Sequence, residues 1–161
     1  MDDNHIYILR MTPDNVPAVS ELNCSCYRWL GNKNGFTVEQ IEFLVSVRGS
    51  VETITSESQS QIYLIACIND TIVGIAAVKG NEIAKLFVDP ECHSQGIGAK
   101  LFNAAQKVIV ENGYNELIVG VMARSAISFY EKMGMAKYSE KELNSGAFSG
   151  CIVPLMRKTL V

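Results

Sequence analysis

A chain of 161 residues is long enough for one domain with its own core and too short for two ordinary ones. Apolar residues make up 48% and charged residues 19%, which excludes a disordered chain. The net charge of −3 argues against a protein whose main task is gripping nucleic acid, and weakly suits an amine-bearing substrate.

The start, Met1-Asp2-Asp3-Asn4-His5, is acidic and holds no apolar signal core. His5 to Leu9 reads as a first strand, and Thr12-Pro13-Asp14 as a turn and helix start. A helix from about Val16 to Trp29 follows, with Val19, Leu22 and Cys26 on one face, broken by Gly31 to Gly35. Thr37 with Gln40 forms a capping-box pattern for a second helix reaching about Val47. Ser50 to Ser60 is polar and reads as a loop with at most a helical turn.

Gln61 to Ile68 and Thr71 to Val78 are rich in β-formers, and Asn69-Asp70 between them makes a two-residue hairpin turn. Glu82 to Val88 is a fourth strand ended by Pro90, which has no ladder donor. The clearest helix is Gly96 to Val110, where Ile97, Leu101, Ala105 and Val108 share a face and Asn112-Gly113 stops it. Glu116 to Val121 is a strand and Ser125 to Met133 a short helix. Ala136 to Ser139 and Cys151 to Leu160 are final strands around a Ser/Gly-rich loop. An antiparallel front half thus feeds one parallel crossover, which gives an α+β fold with a mixed sheet in a single domain, 1–161.

No window holds the apolar run of a membrane span. The cysteines, Cys24, Cys26, Cys67, Cys92 and Cys151, are odd in number and scattered, so reduced thiols in the cytoplasm and no metal site are expected.

The chemistry concentrates in Leu86-Phe87-Val88-Asp89-Pro90-Glu91-Cys92-His93-Ser94-Gln95-Gly96-Ile97-Gly98-Ala99-Lys100-Leu101. A strand runs into a glycine-bearing turn that opens a long helix. Unpaired N–H groups at the positive end of a helix make an anion site suited to a pyrophosphate. A nucleotide P-loop would need Gly-Lys-Ser/Thr, but Gly98 is followed by Ala99 and Lys100; a dinucleotide fingerprint would need a third glycine where Leu101 stands. Two spaced glycines alone also fit a tight turn with close helix packing.

This stretch resembles the acetyl-CoA-binding motif of the GNAT superfamily of N-acetyltransferases, Gln/Arg-x-x-Gly-x-Gly/Ala after a strand of the type Leu-x-Val-x-Pro. Downstream, Ala126-Ile127-Ser128-Phe129-Tyr130-Glu131-Lys132-Met133-Gly134-Met135 is similar to the family's Ala-x-x-Phe-Tyr-Glu-Lys-x-Gly-Phe segment. The likeness covers Ile62 to the C-terminus well, and the first sixty residues only in element order. It implies a mainly antiparallel twisted sheet with flanking helices, and transfer of an acetyl group from acetyl-CoA to an amine. It also implies a cleft where the fourth and fifth strands splay apart, with a homodimer through the C-terminal strands as one option; charge and hydropathy, for their part, lead us to expect no nucleic-acid or membrane partner.

Roles follow from that resemblance. The amides of Gln95, Gly96, Ile97, Gly98 and Ala99 would hold the pyrophosphate, with Lys100 beside them, and the edge of Phe87-Val88 would pair with the pantetheine. Tyr130 stands where the family places its general acid; a phenol is suited to reprotonate a thiolate. Glu82 is either the base that deprotonates the amine or a solvated turn residue. Two departures stand out: His93 occupies the usual Gln/Arg position, where it would either help bind the pyrophosphate or be an ordinary surface histidine, and Ala123 replaces a frequent asparagine. A non-catalytic acyl-CoA sensor would keep the glycine turn without needing Tyr130.

Overall fold

The computed structural model describes residues 5–160, so the acidic start lies outside the described residues. Strand β1 (Ile6–Arg10) leads through a short turn at Pro13–Asn15 into helix α1 (Val16–Lys33). That helix runs straight through Gly31, where the sequence predicts a break. A Cβ at Gly31 would stand 2.5 Å from Ile41 Cγ1, so the glycine serves the close approach of the next helix rather than ending this one.

Helix α2 (Val38–Phe43) begins with the expected capping box. The Gln40 N–H donates to Thr37 Oγ1 at 3.1 Å, and the Thr37 N–H donates to Gln40 Oε1 at 2.9 Å. We expect Thr37→Ala to cost about 1 kcal/mol, read as a fall in melting temperature of about 2–4 °C.

Leu44–Arg48 continues as a widened π turn, and helix α3 (Val51–Glu57) follows where the sequence suggests a loop. Ser50 caps α3 by accepting the Thr53 N–H at 3.1 Å, and Ile54 is its one buried residue. So short and polar a segment carries little periodicity, and its helicity depends on packing against α1.

The sheet has seven strands in the order β1-β2-β3-β4-β5-β7-β6. Its further members are β2 (Ile62–Ile68), β3 (Thr71–Lys79), β4 (Glu82–Val88), β5 (Glu116–Gly120), β6 (Ala136–Glu142) and β7 (Ile152–Thr159). Every neighbouring pair is antiparallel except β4 with β5. The hairpin at Asn69-Asp70 has φ of 48° and 66°, the left-handed pair that a two-residue turn demands.

Helix α4 (Ile97–Glu111) and the short α5 (Ile127–Lys132) cover one face of the sheet; α1 and α3 cover the other. Under α4, Ile97, Leu101, Phe102, Ala105 and Ile109 pack on Ala66, Ala76 and Val78. Under α1, Val19, Leu22 and Cys26 meet Tyr63, Ile65 and Ile75. At Gly74 an added Cβ would lie 2.8 Å from Leu101 and 3.0 Å from the Phe87 carbonyl, so this glycine lets α4 seat closely on β3. Strand β6 is an outer strand, exposed along its length. Among the described residues no helix is long and apolar enough to cross a membrane.

Candidate functional site

The centre of the sheet is where its hydrogen bonding fails. Strands β4 and β5 are registered at one step only, Glu82 opposite Ile118, where the Ile118 N–H donates to Asn81 O at 3.0 Å. Beyond that step the two strands part. On its other side β4 remains bonded to β3, ending with the Asp89 N–H on Val73 O at 2.8 Å. Backbone groups alternate sides along a strand, so the amides of Val88 and Leu86 face the opening.

A bulge refines the arrangement. The β3–β4 register skips Ala84, so Ile83 packs under α4 while Lys85 and Phe87 point to the α1 face. The resulting cleft has a volume of about 460 Å³ and takes lining from α1, the π turn, β4, β5, β6 and β7. It draws on two loop-bearing segments far apart in the chain, through Tyr27, Phe36 and Arg48 on one side and Lys141 and Leu143 on the other. Asn34 and Ser125 join the end of α1 to the lead-in of α5 by two hydrogen bonds of 3.0 Å.

The glycine turn lies past the end of β4. The Asp89 carboxylate accepts the Glu91 N–H at 2.9 Å and opens a single tight turn at Pro90–Cys92. Ser94 and Gly96 then take φ of 67° and 78°, and Gly96 caps α4. The first amide to find an acceptor is that of Lys100, on Gly96 O at 3.1 Å. The N–H groups of Gln95, Gly96, Ile97, Gly98 and Ala99 have none among the described residues.

No atom lies within 4 Å of where a Cβ on Gly96 would stand, so the mouth of the helix is open. Gly98 backs onto the Phe129 ring, 3.2 Å from an added Cβ. Ile97 is buried in the core and offers only its backbone, whereas the Lys100 side chain is exposed. A diphosphate fits this turn, since its oxygens would satisfy amides that the protein leaves bare.

His93 is engaged elsewhere. Its Nε2 lies 3.0 Å from the Val88 carbonyl, and its ring meets Trp29 edge-on at 4.8 Å between centroids. The Lys33 ammonium sits over the other ring of that pair, 4.6 Å from the Trp29 centroid.

Tyr130 on α5 is 6% exposed, packs against Phe129 and Phe102, and lines the cleft. Burial pushes its phenol well above the usual range, so it keeps its proton at neutral and mildly alkaline pH. Its hydroxyl has no hydrogen-bond partner among the described residues and is free to donate into the cleft. Glu82, half-buried at the start of β4, and Ala123 line the same space. The structure thus brings Glu82, Phe87 and Tyr130 to one cleft and sets the glycine turn beyond its β4 wall.

One buried network escapes sequence reading. The Lys85 ammonium, its side chain 4% exposed, pairs with Glu57 at 3.0 Å and donates to Tyr63 Oη at 3.1 Å. Tyr63 in turn donates to Glu57 at 2.5 Å. Burial pulls the Lys85 pKa down, and the Glu57 carboxylate opposes that pull. Burial alone would raise Glu57; the Tyr63 hydrogen bond and the Lys85 charge outweigh it and leave the carboxyl below its ordinary range. The only sequence signal is a lysine interrupting the apolar run Ile83-Ala84-Lys85-Leu86-Phe87.

Comparison with known proteins fits this geometry. The family model of the acetyltransferase (GNAT) domain matches residues 33–160. An uncharacterised N-acetyltransferase of Methanocaldococcus jannaschii is 37% identical over 84 residues, 51% of this chain and 36% of the relative. The match thus spans about a third of that relative's length. A GCN5-related N-acetyltransferase from Rhodopseudomonas palustris has the same fold, with a TM-score of 0.86, 21% identity and 99% of each chain covered. The PaiA N-acetyltransferase of Thermoplasma acidophilum, solved in complex with coenzyme A, superposes with a TM-score of 0.77, at 22% identity over 96% of this chain and 99% of that one.

Proposed function

This chain belongs to the GNAT acetyltransferase family, and from that premise we propose that it transfers the acetyl group of acetyl-CoA to a primary amine of a small molecule or peptide, with residues 1–161 acting as one catalytic domain. The observation that carries this reading is the run of bare amides from Gln95 to Ala99 beside an unpaired strand edge. Coenzyme A in the PaiA neighbour supports the choice of donor.

In this reading the turn amides hold the diphosphate and Lys100 adds a cation. The free edge of Leu86 and Val88 binds the pantetheine amides as an added strand would. His93 must then yield its bond to the Val88 carbonyl. The Val88 N–H polarises the thioester carbonyl and stabilises the oxyanion that forms on it.

An alkylamine is mostly protonated near neutrality and cannot attack until it loses that proton. Glu82 takes it, directly or through water. Tyr130 donates its phenolic proton to the departing thiolate and recovers one from solvent. Holding amine and thioester together supplies most of the acceleration, and no covalent enzyme intermediate is needed.

The test is calorimetry with coenzyme A, followed by an acetyl-CoA-dependent thiol-release screen across amino acids, peptides, polyamines and aminoglycosides. We expect heat on binding and release of thiol with at least one amine class. No heat with coenzyme A would overturn the whole reading. Binding without turnover of any amine would favour the non-catalytic sensor instead.

A further inference from the structure

Three cationic residues and one carboxylate line the cleft: Arg48, Lys85 and Lys141 against Glu82. Lys85 is neutralised by Glu57, but no carboxylate lies within ion-pair distance of Arg48 or Lys141 among the described residues. An otherwise acidic chain therefore concentrates positive charge at this one concavity. The two cations come from different walls, the π turn and β6.

The side chain of Arg48 is exposed, but the backbone that carries it is fixed. A π turn weakens helix geometry and persists only where its surroundings hold it. Here the Gly49 N–H closes the turn on Leu44 O at 2.8 Å. The Gly49 carbonyl is clamped to α1, accepting Ser20 Oγ at 2.5 Å and Cys24 Sγ at 3.6 Å. Gly49 is itself buried, and an added Cβ would lie 2.9 Å from Cys24 Sγ. Lys85 Nζ also approaches the Arg48 carbonyl, at 3.5 Å. Between the charges the walls are apolar, with Tyr27, Leu30, Phe36 and Leu44 on the α1 side.

We propose that the acceptor carries a carboxylate as well as its amine, on an apolar body: the class of apolar amino acids. Its carboxylate pairs with Arg48 and Lys141, its apolar part lies against Tyr27 and Phe36, and its amine is presented to Glu82. A polyamine would instead set a second positive charge against Arg48. The inference rests on the acetyl-transfer reading above and narrows its acceptor.

The test uses the whole chain with acetyl-CoA and matched acceptors: phenylalanine against phenethylamine, leucine against 3-methylbutylamine, 6-aminohexanoate against hexylamine, with spermidine beside them. The acid should exceed its plain amine in kcat/KM by roughly tenfold or more in at least one pair, the value of a charge-assisted pairing. Arg48→Gln should collapse that ratio toward one, chiefly through KM, and Arg48→Lys should keep part of it.

Equal rates for acid and plain amine in every pair, spermidine as the best acceptor, or an unchanged ratio in Arg48→Gln would each overturn the proposal and leave acetyl transfer standing. Thiol release with no amine at all, despite binding of coenzyme A, would sink acetyl transfer itself and the proposal with it.

Discussion

Tyr130→Phe should lower kcat by about 100- to 1000-fold, the usual contribution of a positioned general acid, while the affinity for coenzyme A changes less than about twofold. The phenyl ring keeps its packing with Phe102 and Phe129, so the variant should melt no lower than the wild type. Its hydroxyl has no partner among the described residues, so removing it strands no buried group there.

The pH dependence adds a second readout. Burial raises the Tyr130 pKa above its ordinary value of 10.0, so the phenol stays protonated across the working range. The wild-type kcat should therefore show no alkaline fall up to about pH 9.5 on account of this group. A variant that retains more than about a tenth of wild-type kcat would remove Tyr130 from the reaction.

Lys85→Met should produce the largest loss of stability among single changes around the cleft. Met replaces the side chain at similar length but removes the charge that Glu57 faces. Breaking a buried ion pair from one side costs about 3–5 kcal/mol. Glu57 keeps some access to water, with its side chain 15% exposed, and it keeps the Tyr63 hydrogen bond. The expected cost is therefore about 2–3 kcal/mol, or a fall of roughly 5–10 °C in melting temperature for a domain of this size.

Adding Glu57→Gln to Lys85→Met should restore part of that loss, because the double variant leaves no orphaned charge. In the wild type the Glu57 contribution has a definite sign. Its folded pKa lies below the unfolded value, so its stabilisation is complete above the ordinary carboxylate pKa and is lost as pH falls through the depressed one. The melting difference between wild type and Glu57→Gln should thus shrink below about pH 4. A Lys85→Met protein that melts within about 2 °C of wild type would show that the network is structurally idle.

Much of the back half of the molecule is legible in its residues because there local and global preferences agree. Asn69-Asp70 tolerates positive φ, Pro90 cannot continue a ladder, and Gly96 opens a helix with strict apolar spacing. The same local chemistry places the glycine turn whose amides lack acceptors among the described residues.

The front half yields less. Gly31 reads as a breaker from sequence, yet it serves the approach of Ile41, a contact between helices. Ser50 caps a helix whose single buried residue, Ile54, is too little pattern to detect. In the site, Tyr130 is singled out by its motif and Glu82 by its place at the start of the fourth strand, and both line the cleft. The Lys85–Glu57–Tyr63 network ties the neighbouring α3 and β2 to β4, 22 residues beyond Tyr63, and the bulge at Ala84 that turns Lys85 inward is set by the register with β3. No local residue pattern encodes either. Arg48 is likewise an ordinary helical arginine until the widened turn and the clamped Gly49 place it at the cleft.

The lone registered step between β4 and β5 has a mechanical consequence. The sheet is two plates joined at a single rivet, with the Asn34–Ser125 clasp tying the helix over one plate to the loop of the other. The most central strands of the molecule are therefore its least mutually bonded. On the proposed reading, an extended guest with amides of its own would fill the rift as a missing strand would; the unfinished sheet would be completed on loading, and its resistance to heat should climb with the concentration of that guest.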